Sequence, residues 1–391
     1  MEFRRRTLHR ERERRMEHRQ KPQAMPQMRQ RQMARCRRTV RRQRLRRSET
    51  DTESTGEIMR IGNLTQTVWK RSVKKQLHKR REAFLTEPLN GERCSAMKVD
   101  AQTSVVVTAN ASANGNTAKT ATYAAIRAVN DLACRGADPA GIRLQCFLPK
   151  SMTEEQFRDL IGEAEAFCEE HDLELINVAA ETSPAVRQIF VQAGAVGIGK
   201  NGVLPLGGAS KGDEIVLCGS VGLEGALRIL EEQEAELSQR FVPAFLRQTK
   251  ALKRELCPLT ALKAAVPHVR AMQQIGSGGI LAALWELSEA AGAGFQVAME
   301  QMTICQETVE ICEYYRLNPY QMTSAGAVLI VTNEAQQLLH LLEKEGVRAA
   351  RLGMIHDGNA RVITSGEEVR YLDRPAADEL ARWMAEHVTD R

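Results

Sequence analysis

The chain has 391 residues, with 55 Lys and Arg against 49 Asp and Glu, a formal net charge of +6. It is 43% hydrophobic, 27% charged and 4% aromatic, which excludes a wholly disordered, collagen-like or disulfide-stapled chain and argues against a stacking platform for single-stranded nucleic acid. No run approaches the ~20 apolar residues of a membrane span.

The charge is unevenly placed. Residues 1–57 hold 19 basic against 8 acidic residues, which leaves 36 basic and 41 acidic for the remainder. The first fifty residues are mostly Arg, Gln, Glu, Met and His without a sustained apolar stripe. Such a segment cannot bury enough surface to offset its ordering entropy, so residues 1–58 read as a disordered extension. Its arginines would suit RNA. Alternatively, Met59-Arg60-Ile61-Gly62 reads as a start of its own, and the extension then belongs to a mis-chosen start codon.

Further elements follow in chain order. Thr67 to Lys79 predicts a short basic helix, Gly91 to Ser95 a turn, and Thr103 to Thr108 a buried β-branched strand. The polar stretch Ala109 to Thr120 reads as a loop. A helix is expected over Thr122–Arg135, stopped by Gly136. A strand at Ile142–Leu148 leads to Ser151-Met152-Thr153-Glu154, which has capping-box spacing. Behind it, Phe157, Leu160, Ile161, Ala164, Phe167 and Cys168 share one helical face. Leu173–Val178 and Ile189–Ile198 are further strands.

Gly207 to Asp213 is Gly-rich and polar and reads as a linker. Beyond it come a strand at Glu214–Cys218, a helical zone from Leu223 to Leu256 and a helix from Thr260. Gly276-Ser277-Gly278-Gly279 opens a helix over Ile280–Ala291. A strand at Ala327–Thr332 precedes a helix capped by Asn333 and stopped by Gly346, and two short strands fall within 348–371. The alternation predicts an α/β (α+β) chain with domains at 59–208 and 209–375 and a helix or tail at 376–391.

Nine cysteines occur without a C-x-x-C pair. Most stand in apolar runs, as buried thiols of a reducing cytoplasm would, and the N-terminus lacks the apolar core of a secretion signal. Met299, Met302, Cys305 and Cys312 read as core, and the run Glu231, Glu232, Glu234, Glu236 as a solvated helix face.

Two segments carry chemistry. Asn130-Asp131 lies within an apolar helix, where such a pair is costly unless it caps, pairs or binds a cation. Gly276 to Gly279 stands at a helix start, where glycines let a phosphate approach the backbone. The Asn130 to Pro139 run and Gly278-Gly279-Ile280 to Glu286, together with Gly91-Glu92-Arg93-Cys94-Ser95, Gly222-Leu223-Glu224-Gly225 and Gln306-Glu307-Thr308 to Asn318-Pro319-Tyr320, resemble the superfamily of aminoimidazole ribonucleotide (AIR) synthetase, thiamine-monophosphate kinase, selenophosphate synthetase and HypE. The likeness is greatest to its HypE-like, AIR synthase-related group and spans nearly all of 59–375. Asn130-Asp131-Leu132-Ala133-x-x-Gly136-Ala137-x-Pro139 is the most specific part.

The resemblance implies a PurM/HypE-like architecture with two α/β domains, a homodimer through paired N-terminal sheets, and ATP with Mg²⁺ in a cleft. It places Glu92, Asp131 and Glu181 on the metal and Arg93, Asn110, Asn130, Asp131, Gly278 and Gly279 on the nucleotide. The chain also departs from the pattern. Gly-(Asp/Glu)-Asp has become Gly91-Glu92-Arg93, and Thr-Asp has become Thr108-Ala109-Asn110. Asp-x-Thr-x-Gly-Gly has become Gln274-Ile275-Gly276-Ser277-Gly278-Gly279, and the terminal cysteine of HypE is missing. An Arg can hold phosphate without a metal. Three functions are therefore expected: ATP-dependent phosphoryl transfer through an altered metal shell, a catalytically inactive regulatory or maturation subunit with a protein partner, or a nucleic-acid-associated protein using the Arg-rich extension.

Overall fold

A computed structural model describes residues 92–99, 105–200 and 202–388, with scattered positions between 66 and 89. These residues lie within one compact unit, Gly56–Arg391. The Arg-rich extension, the start at Met59, and most of the expected basic helix lie outside the described residues.

Strands β1 (Cys94–Lys98), β2 (Val105–Gly115), β3 (Asp138–Leu148), β4 (Glu174–Thr182) and β5 (Ile189–Gly199) form a sheet in the order β1-β2-β5-β3-β4. Its pairs are antiparallel except β3–β4, which is parallel. Helices α1 (Thr120–Ala133) and α2 (Glu154–Glu170) connect its strands, and their apolar residues share one core with its inner face.

β2 runs well into the stretch expected to be a loop. Its small side chains alternate: Ala109 and Ala113 are buried, whereas Asn110 and Ser112 are exposed. Across it, Ala193 and Ala195 of β5 are buried too. Small residues let α1, itself rich in Ala, lie close to the sheet. The polar composition that suggests a loop is the outer half of a period-two pattern. The cap of α2 also lies two residues later than expected, with Thr153 and Gln156 exchanging the capping-box hydrogen bonds.

The second sheet has the order β12-β11-β8-β10-β6-β9-β7. Its strands are β6 (Glu214–Cys218), β7 (Ala271–Gln274), β8 (Gly294–Ala298), β9 (Val328–Thr332), β10 (Ala349–His356), β11 (Arg361–Ser365) and β12 (Glu368–Tyr371). Three strands, not two, fill 348–371. Helices α3 (Leu223–Glu232), α4 (Glu234–Arg240), α5 (Pro243–Ala251), α6 (Leu259–Ala265), α7 (Gly279–Ala291), α8 (Gln306–Tyr315), α9 (Ala335–Lys344) and α10 (Glu379–His387) accompany it.

Ile215 and Leu217 of β6 pack with α7, whereas Val216 and Cys218 pack with α6 and α9. Burial on both faces explains why β6 and β9 are unbroken apolar runs. Glu334, not Asn333, is the N-cap of α9, and its N–H donates to Thr332 Oγ1. The glutamates of α3 are not simply solvated. Glu232 is buried and accepts from Asn116 N–H, and Glu231 pairs with Lys119.

α1 joins the two halves. Most of it packs on the first sheet, yet Ala133 and Cys134 belong to the core of the second. The alternation of β2 is testable by urea unfolding. Ala109→Leu should lower stability by about 1–3 kcal/mol through overpacking, whereas Asn110→Ala should stay within ~0.5 kcal/mol. Equal tolerance at both positions would refute the assigned strand.

Candidate functional site

Arg127, Asn130, Asp131, Cys134 and Arg135 follow at helical spacing along one face of α1. That face meets the end of β7 and the turn into α7. Into the same place comes the backbone just before β1, which carries Glu92 and Arg93. The local sequence explains the meeting: α1 is buried almost throughout and largely apolar, so burying it brings these residues along.

Arg93 is central. Its Nη1 donates to the Gln274 carbonyl at 3.1 Å and lies 3.8 Å from Asp131 Oδ1. Its Nη2 is 3.4 Å from Glu286 Oε2, on α7. The guanidinium lies against Gly276, where a Cβ would come within 2.7 Å of Nη2. Arg93 is 21% exposed, and Asp131 and Glu286 are 7% and 6%. A second cation closes the other end. Arg135 Nε donates to Glu92 Oε1 at 3.2 Å, and its Nη1 donates to the Met272 carbonyl at 2.7 Å.

Amides fill the space between. Gln274 Nε2 donates to Asp131 Oδ1 at 2.7 Å and to the Arg127 carbonyl at 2.9 Å. Asn130 Nδ2 donates to Gln274 Oε1 at 3.0 Å and to the Leu256 carbonyl at 2.8 Å. Gln273 Nε2 donates to Glu286 Oε2 at 2.7 Å. The Asn130 amide N–H groups and the Asp131 carboxylate are thus paired, whereas the buried Asn130 Oδ1 has no partner.

The electrostatics follow. Burial pulls the Arg93 pKa down, but Glu286 and Asp131 outweigh it and hold it above the ordinary value. For Asp131 burial wins: its pKa is raised despite Arg93 and the Gln274 hydrogen bond. Burial pushes the thiols of Cys94 and Cys134 above the ordinary range. Neither offers a thiolate nucleophile near neutral pH.

Two residues beyond Gly276, backbone N–H groups hold a carboxylate. Gly278 (φ +86°) and Gly279 (φ +69°) form the N-terminus of α7. A Cβ on Gly279 would strike the Tyr320 carbonyl. The Gly278 N–H and the Thr323 N–H both donate to Asp378 Oδ2, at 2.7 and 2.9 Å. Asp378 Oδ1 accepts from Ala381 N–H at 2.9 Å and caps α10. Thr323 Oγ1 donates to Glu224 Oε2 at 3.2 Å, so the glutamate of Gly222-Leu223-Glu224-Gly225 is buried here too.

The structure therefore brings together Glu92, Arg93, Asn130 and Asp131, with the Gly278-Gly279 turn alongside. It does not bring in Asn110 or Glu181. Asn110 faces outward from β2, and Glu181 is exposed on β4, at the sheet edge opposite β1. Sequence reasoning missed Glu286, Arg135, Gln273 and Asp378. A glutamate within the apolar run of α7 was the available signal for Glu286. Pro-Ala-Ala-Asp before a helical pattern was the signal for Asp378.

Mg²⁺ requires nearly octahedral hard oxygen ligands. Glu92 Oε1 already accepts from Cys94 N–H and Arg135, Asp131 Oδ1 is taken by Gln274, and a guanidinium stands between Asp131 and Glu286. These residues do not fit the metal. Among the described residues, no group of three or more His, Cys, Asp or Glu could hold a metal ion.

Comparisons with known proteins agree with this architecture. The sequence pattern described as AIR synthase related protein, N-terminal domain, matches residues 82–199, and that of the C-terminal domain matches residues 210–365. Over 268 residues the chain is 25% identical to carbamoyl dehydratase HypE of Rhodobacter capsulatus, covering 65% of this chain and 76% of that protein. Solved structures share the fold. One is a HypE-HypF complex, with TM-score 0.57 and 16% identity over 72% of this chain and 93% of the other. Another is AaThiL complexed with AMPPCP and TMP, with TM-score 0.61 and 15% identity over 82% and 97%. No helix among the described residues is long and apolar enough to cross a membrane.

Arg93→Met should remove one buried charge and leave two carboxylates facing each other. It should cost about 3 kcal/mol at pH 7. Losing the cation raises the Asp131 pKa further, so protonation relieves the strain and the cost should shrink as pH falls from 7 to 5. Urea unfolding at both pH values measures this. A cost independent of pH would refute the buried ion-pair account.

Proposed function

Because the chain belongs to the AIR synthase related family, we propose that it is a HypE-like protein that binds a nucleotide without Mg²⁺ and acts as a regulatory or maturation subunit rather than as a metal-dependent phosphoryl-transfer enzyme. The observation that carries this reading is Arg93, set between Asp131 and Glu286. Asp131 and Glu286 face Arg93 and Glu92 faces Arg135, and the amides of Gln274 and Gln273 add hydrogen bonds to the first two.

Nucleotide binding draws support from the donor set. The N–H groups of Gly278 and Thr323 converge at a helix N-terminus, a geometry suited to a phosphate. Arg93 and Arg127 lie near enough to act on Asp131, and Arg127 also acts on Asp378. A guanidinium binds phosphate oxygens directly. AaThiL, a chain of the same fold, is complexed with AMPPCP and TMP, which adds to this reading. These residues bind and orient an anion, and the Glu92, Asp131 and Glu286 carboxylates each already accept a hydrogen bond from within the chain. A protein partner suits a maturation subunit, as the HypE-HypF complex illustrates for a relative of the same fold.

Calorimetric titration of ATP should give the same Kd with Mg²⁺ and with EDTA. Binding that disappears in EDTA would overturn the reading. Arg93→Met should weaken ATP binding at least tenfold in either buffer.

The open face of the first sheet supports a homodimer. Met97, Ile176, Phe190 and Ile198 are exposed there, while the opposite face packs on α1 and α2. A second copy presenting the same face would bury them. Sedimentation equilibrium should show a dimer that Phe190→Glu with Ile198→Glu converts to monomer. A monomeric unaltered chain would refute this assembly.

A further inference from the structure

The segment after β12 leaves the second sheet, reaches the start of α7, and then forms α10. Asp378 at its turn is 3% exposed. It makes three hydrogen bonds to backbone N–H groups from three separate places: Gly278, Thr323 and Ala381. An N-cap needs only the last of these. The other two are the Gly278 and Thr323 donors whose geometry suits a phosphate. The α10 helix is then held at its far end by the first half of the molecule. Gln188, just before β5, donates through Nε2 to the Val388 carbonyl, and Asn114 at the end of β2 donates to Gln188 Oε1. Between these ends Leu380, Trp383 and Met384 are buried against α3 and α8. Trp383 stacks on His387 at 5.0 Å.

We propose that residues 373–388 form an autoinhibitory strap whose Asp378 carboxylate occupies the phosphate seat, so that a phosphoester ligand binds only when the strap is displaced. The proposal rests on the nucleotide-binding reading above and deepens it. The seat admits one anion. A carboxylate and a phosphate compete for the same two N–H groups, and both carry the negative charge that the helix N-terminus favours. The strap is suited to leaving. Burial raises the pKa of Asp378 despite the Gly278 and Ala381 hydrogen bonds, so its charge is held there at a cost. Residues 372–378 have no regular structure to unfold.

The test titrates ATP into the full chain and into Asp378→Ala, with hydrogen exchange of α10 followed in the full chain. Asp378→Asn keeps an oxygen for the Ala381 cap and serves if the alanine variant does not fold. The strap predicts at least tenfold tighter ATP binding by either variant, and faster exchange of 379–388 when ATP is added to the full chain. Equal affinities with α10 still protected would overturn the strap while leaving nucleotide binding intact, because the ligand would then sit elsewhere. Absence of ATP binding in the full chain and in both variants would overturn the strap together with the nucleotide reading.

Discussion

A guanidinium withdrawn from water must meet its counter-charges where it is buried, or the desolvation cost is not recovered. Arg93 meets that requirement only through residues of both halves: Asp131 from α1 and Glu286 from α7. Arg135 does the same with Glu92 before β1 and the Met272 carbonyl in β7. The docking of the first sheet onto the second is therefore tied to the chemistry of the cleft. The same side chains that set the angle between the halves also decide what the cleft can bind.

This coupling changes how the family resemblance is read. In a site built for a metal, carboxylates converge with their charges open, and the incoming cation completes them. Here they converge already completed. The amides of Gln273, Gln274 and Asn130 have the same effect on a finer scale, since each ties a charged group or a carbonyl into a fixed network. Within it, the buried Asn130 Oδ1 and Gln273 Oε1 accept no hydrogen bond. Beside it, the Gly278 and Thr323 N–H groups are held by Asp378 from the chain's own C-terminal segment.

The parts of the molecule legible in the sequence are those where one physical signal dominates. β6 and β9 are apolar on both faces, and α2 is amphipathic, so length and periodicity suffice. Asn130-Asp131 stands out because two polar residues in an apolar helix need partners. The partners themselves are hidden: Gln274 is 143 residues from Asp131, and Arg93 is 193 from Glu286. β2 escapes detection beyond Thr108 because its inward side chains are alanines, which carry little hydrophobic signal, and its outward ones are Asn and Ser. β7 is short and ends in two glutamines, which are buried within the hydrogen-bond network while Ala271 and Met272 join the apolar cores. Local motif alone puts Asn110 and Glu181 near the cleft, and strand direction sends them away from it.

The mutual neutralisation of the cleft has a consequence for how this protein can change over generations. A single change to aspartate at position 93 would put a third carboxylate beside Asp131 and Glu286 and remove the cation that faces both, a state costly enough to threaten folding before any metal is gained. The same change at position 274 alone would set a carboxylate against Asp131 in place of a donor. Building a metal site thus needs coordinated replacements, each unfavourable when made first. The pairing that accommodates Arg93 sets a barrier to single-step change at this site.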